Sequence, residues 1–191
     1  MILLTLLACL PDLSESMNTW DTGSLALDDT QATEGPTALK IDATDYTLWV
    51  PLDLDTLTLG APGESLEGWD LRFQRYLVEL DGGVSGEGEV EATYIEGADF
   101  TALAWEDLPA SGWAQDAPDG DDEDTEPDRV FDEWYDYDVD DHSLTPKERV
   151  YVVRTPEQTF KLVFDSYYDA AGSPAKLQLR LDEMPPSGDA Q

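Results

Sequence analysis

The stretch "AKLQLRLDEM" near the end of the chain constrains the fold more than any other. Leu177, Leu179 and Leu181 alternate with Lys176, Gln178 and Arg180. A period of two places the leucines on one face and the polar residues on the other, which is a strand with one wet face and not a helix. "RVYVVRT" (149–155) is a β-branched and aromatic run, a strand as well. "TFKLVFDSYYD" begins after Pro156, Glu157 and Gln158, a spacing suited to a hairpin. In "WDLRFQRYLVEL" the apolar parity switches between Phe73 and Tyr76, which reads as a strand with a bulge near Gln74. The closing Asp81-Gly82-Gly83 is then a turn, and "SGEGEVEATYI" its partner strand. "IDATDYTLWVPLDLDTLTLG" supplies one or two further strands, with Pro51 pointing to an edge position. Only "ADFTALAWEDL" (98–108) has a helical spacing. The fold class expected is all-β: a single, mostly antiparallel domain.

A chain of 191 residues, 41% of them apolar, is enough for one domain with a core. Its charge is far from balanced: 43 acidic against 10 basic residues, a formal net charge of -33. Such a surface repels nucleic acid and anionic headgroups, so nucleic acid is not an expected partner. One cysteine, Cys9, excludes an intramolecular disulfide and a cysteine-rich zinc site. One histidine, His142, excludes every two-histidine motif.

Cys9 has a context. The chain opens "MILLTLLACLPD", with no charge from Met1 to Leu10. That is too short for a transmembrane helix, which needs about 20 residues, but it suits the apolar part of a secretory signal. "LLAC" (6–9) resembles a bacterial lipobox, in which the cysteine is lipidated and becomes the amino terminus. The pattern lacks its basic region, since no Lys or Arg precedes Lys40. The rival reading is a short apolar tail with an idle cysteine. On the lipobox reading residues 1–8 are a signal, truncated if the true start lies upstream. Residues 9–37 are then a lipidated cysteine and an acidic tether. A domain at 38–186 follows, with an acidic loop at 114–129 and a tail at 187–191.

Between Asp116 and Asp141 the chain carries 14 acidic residues and one basic residue, Arg129. Acid-dense loops are what calcium prefers, but an EF-hand register with Gly120 at its sixth position puts Gln115 first and Ala117 third, so that motif fails. A looser calcium site on Asp119, Asp121 and Asp124 and a solvated acidic loop both remain open. Phe131, Trp134, Tyr135 and Tyr137 mark the return to structure. No catalytic motif emerges. A serine triad would need His142 as its base, no serine sits in a Gly-x-Ser-x-Gly elbow, and no phosphate loop or dinucleotide fingerprint is present. The chain is read as a non-enzyme.

Three blocks together resemble the HmuY family of bacterial haem-binding lipoproteins. The first is "IDATDYTLWVPLDL", with Ile41, Asp42, Tyr46 and Trp49. The second is "WDLRFQRYLVELDGGVSGEG", with Trp69, Asp70, Arg75, Tyr76, Gly83, Ser85, Gly86 and Gly88. The third is "RVYVVRTPEQTFKLVFDSYYD", with Val150, Val153, Arg154, Lys161 and Tyr167. The resemblance implies a lipid-anchored β domain at the bacterial outer membrane or cell surface that captures haem for iron acquisition. Its partners would be haem or a haem-carrying protein, and its only tie to the membrane would be the lipid on Cys9. It also implies axial His or Met ligands offered from loops, with an apolar slot for the porphyrin. A bis-histidine site is ruled out by the single histidine. His142 is the candidate haem ligand, with Met17 or Met184 as thioether partners and Trp134, Tyr135 and Tyr137 as candidate slot walls. The alternative is a surface interaction or coat lipoprotein on the same scaffold without haem, responsive to calcium through its acidic loop.

Overall fold

Residues 35–120 and 126–186 are described by the computed structural model. Its eleven strands are, in chain order, β1 (Thr37–Asp42), β2 (Val50–Asp53), β3 (Thr58–Leu59), β4 (Leu71–Gln74), β5 (Leu77–Leu80), β6 (Glu91–Glu96), β7 (Tyr135–Tyr137), β8 (Leu144–Pro146), β9 (Arg149–Arg154), β10 (Thr159–Tyr168) and β11 (Pro174–Glu183). They form a five-stranded sheet ordered β1-β11-β10-β9-β6, a four-stranded sheet ordered β3-β2-β4-β5, and the two-stranded hairpin β7-β8. Every strand pair is antiparallel. The all-β class expected from the alternation is what the chain adopts.

The period of two in β11 does what its pattern dictates. Leu177, Leu179 and Leu181 are buried, while Lys176, Gln178 and Arg180 lie at the surface margin. The apolar faces of both sheets contribute to one core, with Leu52, Phe73 and Leu80 from the smaller sheet and Leu162, Phe164 and Leu179 from the larger. β9 is buried on both faces, which explains its unbroken apolar run. Tyr151 and Val153 enter the main core, whereas Val150 and Val152 join a second cluster. In that second cluster Phe100, Leu103 and Met184 pack with Trp105, Leu108 and Trp113.

Four local readings are corrected. The stretch 98–108 is not a helix: it holds one hydrogen-bonded turn, Leu103 N–H to Asp99 O, and one 3-10 turn at Trp105–Asp107. The Asp99 carboxylate takes the N–H groups of Thr101 and Ala102, and Ala104 is extended, so no helix propagates. The parity switch near Gln74 is a hairpin rather than a bulge. β4 and β5 pair directly, Gln74 opposite Leu77, across the two-residue turn Arg75-Tyr76, with Arg75 at φ 56°. β6 does not pair with β5 but crosses to the larger sheet beside β9. Pro51 lies in β2, an inner strand flanked by β3 and β4. It is tolerated there because β3 pairs only with Leu52 and Asp53, and the Pro51 carbonyl accepts the Gly60 N–H instead.

Candidate functional site

The loop between β7 and β8 presents His142. Asp138 N–H donates to Ser143 O and closes the loop, while Asp138 and Asp141 cap the N–H groups of Asp140 and Ser143 with their carboxylates. Accepting from Ser143 also holds the Asp141 carboxyl below its ordinary pKa. His142 takes the left-handed conformation at φ 60°, which is uncommon for a non-glycine residue. The hairpin is tied to the larger sheet where Leu144 N–H donates to the Tyr168 hydroxyl at 3.0 Å. His142 is thus an exposed imidazole on a constrained tip rather than on a loose loop.

His142 borders an open cleft of about 700 Å³. Its other walls are the Arg75-Tyr76 turn, Tyr46 from the β1–β2 connection, and the Tyr167-Tyr168 end of β10, with Leu77, Leu144 and Pro174 between them. Tyr167 is buried at its base, and burial raises the phenol pKa, an effect that nearby Arg75 opposes. Arg75 lies with its guanidinium carbon 4.4 Å from the centroid of the Tyr46 ring. The cleft is therefore aromatic, with one imidazole, one guanidinium and the Asp141 carboxylate on its lining. That size and composition are those of a small-molecule site.

The imidazole has a second contact that bears on its chemistry. The Tyr137 hydroxyl and His142 Nδ1 lie 2.5 Å apart. With the proton on Nδ1 donated to the phenol oxygen, Nε2 carries a free lone pair, as an iron-ligating histidine requires.

The other candidate residues separate. Trp134 is not a wall of the cleft: it is 1% exposed, stacked on Phe164 at 4.4 Å, and donates its indole N–H to Tyr76 O. Tyr135 packs edge-on against both Tyr76 and Trp134. Met184 is buried in the second cluster and does not line the cleft, so it is removed as a partner for His142. Met17, Cys9 and most of the 9–37 segment lie outside the described residues, as do Asp121 and Asp124 of the calcium candidate. Among the described residues the carboxylates that converge are instead Asp53, Asp55 and Asp70, with oxygens within 4.8 Å of one another. Tyr46, Arg75, Tyr76 and Tyr167 stand in the blocks quoted above, but nothing in their spacing shows that they meet. They reach one cleft through chain reversals tens of residues apart.

Two antiparallel sheets around one core, with an aromatic cleft built from strand ends and a hairpin tip, define an all-β domain of the ligand-pocket type. The chain belongs to the HmuY family: the family model described as HmuY protein matches residues 45–180. A search of curated proteins finds no match. Among solved structures it is similar to a candidate HmuY-like haem-binding protein from Bacteroides vulgatus, at 18% identity and TM-score 0.61, covering 76% of this chain and 90% of that one. It is also similar to a candidate lipoprotein from Bacteroides fragilis, at 18% identity and TM-score 0.59, covering 79% and 92%. The apo form of an HmuY analog from Tannerella forsythia gives 15% identity and TM-score 0.59, covering 79% and 96%. At such identities these likenesses speak for the fold.

Proposed function

We propose that this domain binds haem in the aromatic cleft, with His142 Nε2 as the iron ligand, and captures it without transforming it. The observation that carries the reading is that the chain's single imidazole sits on the rim of that cleft with its other nitrogen engaged by Tyr137. The residues fit the group: aromatic and apolar walls suit the porphyrin faces, and an imidazole suits the iron. Family membership supports the same reading. The domain is further proposed to hang from the outer membrane by a lipid on Cys9, through the 9–37 tether. Among the described residues no helix is long and apolar enough to cross a membrane.

A haemin titration tests the proposal. The wild-type domain is expected to shift and sharpen the Soret band to a saturable one-to-one end point, and His142→Ala to lose that spectrum. Tyr137→Phe keeps the ligand but loses its hydrogen-bond partner, and is expected to weaken haemin binding about 10-fold or more. A wild-type domain that leaves the haemin spectrum unchanged sinks the reading and leaves a surface interaction lipoprotein on the same scaffold.

A further inference from the structure

The basic residues of this acidic chain are almost all spoken for. Of its 10 lysines and arginines, Arg72, Arg129, Lys147, Arg149, Arg154, Lys161, Lys176 and Arg180 each have a carboxylate partner. Lys40 is engaged as well. Arg75 differs. Its backbone N–H donates to Ala43 O and its Nη1 to Thr44 O, both at 2.9 Å, and its guanidinium lies over Tyr46. No carboxylate among the described residues forms an ion pair with it.

In a chain with 43 acidic residues, a half-buried guanidinium that none of them reaches has a fixed position and spare valence. One of its five N–H donors is taken by Thr44 O, and the rest of the planar fork matches a carboxylate. The stack on Tyr46 and the bond to Thr44 O hold it in place before any ligand arrives, which lowers the entropic cost of binding. It is the one cation on the cleft lining that His142 also borders.

We propose that Arg75 is the anion-recognition residue of the cleft and takes a propionate carboxylate of the bound tetrapyrrole. This rests on the haem reading above. It gives a protein of net charge -33 a local means of holding a dianionic ligand that its overall field repels.

The test compares haemin with its dimethyl ester, which keeps the iron and the ring but loses both charges, on the wild-type domain, Arg75→Gln and Arg75→Lys. Wild type is expected to bind haemin about 10- to 100-fold more tightly than the ester, the worth of a charge-assisted pair. Arg75→Gln is expected to lose that preference while its affinity for the ester and its Soret maximum stay as in wild type. Arg75→Lys is expected to retain part of the preference. Equal wild-type affinity for haemin and ester, or an Arg75→Gln that weakens both alike, overturns the role of Arg75 and leaves haem binding standing. Failure of wild type to bind either compound overturns both.

Discussion

Replacing Glu79 by alanine is expected to lower the folding stability by about 3–5 kcal/mol, the usual cost of stranding a buried charge. Glu79 on β5 is almost fully buried and accepts from two guanidiniums, Arg72 at 2.6 Å and Arg129 at 3.0 Å. Arg129 is the single basic residue of the acidic segment, and its side chain is only 5% exposed. Its other acidic partners, Glu126 at 3.5 Å and Asp132 at 3.8 Å, are more loosely held and lie toward solvent. Without Glu79, the buried Arg129 guanidinium keeps only these. Arg72 would be left between the rings of Trp49 and Trp69, at 4.8 and 4.7 Å, without its acid. Arg129→Met should cost less, because Glu79 keeps Arg72. The double variant Glu79→Ala/Arg129→Met should be more stable than Glu79→Ala alone, since no unpaired guanidinium then stays buried at position 129. Urea midpoints with an unchanged slope would give the order. A Glu79→Ala within about 1 kcal/mol of wild type would refute the assignment, being in the range of an exposed pair. The effect reaches the cleft, because the Arg129 turn leads directly to Phe131, Trp134 and the hairpin that carries His142.

The same buried pair shows what the sequence could and could not reveal. Arg129 was visible as the one cation in a run of acids, but its partner stands 50 residues earlier and nothing local marks it. β9, β10 and β11 were legible because burial imposes a period, or an unbroken run, that survives in the residue types themselves. The turn at Arg75-Tyr76 was misjudged because a bulge and a tight hairpin both reverse side-chain parity, and only the pairing of Gln74 with Leu77 distinguishes them. The helical spacing at 98–108 failed for a different reason: Phe100, Leu103 and Trp105 cover the outer face of the larger sheet from irregular backbone. For the cleft, counting isolated His142 as the sole imidazole. Aromatic density then pointed to Trp134 as a wall, whereas the core claims it. The residues that line the cleft beside His142 are aromatic or basic side chains at strand ends, where periodicity gives no indication of direction.

Stability should fall as pH rises through neutrality, and Asp70→Asn should remove much of that fall. Asp70 is 5% exposed and accepts the Leu54 N–H at 2.6 Å. Burial, reinforced by the charges of Asp55, Asp53 and Asp81, pushes its carboxyl up to about 7. An unfolded aspartate titrates near 3.9. The folded state therefore binds the extra proton between those values, so this contribution is fully present below about pH 4 and is lost as pH rises through about 7. Three pKa units correspond to about 4 kcal/mol as an upper bound. Burial also raises the Asp116 carboxyl, so part of the slope will persist in the variant. The aspartates held below their ordinary range, such as Asp42 and Asp99, act in the opposite sense, and only below about pH 4. Asparagine at position 70 retains an oxygen to accept the Leu54 N–H while carrying no charge toward Asp53 and Asp55. Denaturant midpoints at pH 5 and pH 8 should thus differ less for Asp70→Asn than for wild type, and at pH 8 the variant should be the more stable of the two. Parallel pH profiles for the two proteins would show that Asp70 is ionised throughout, with its charge neutralised by some means other than a proton.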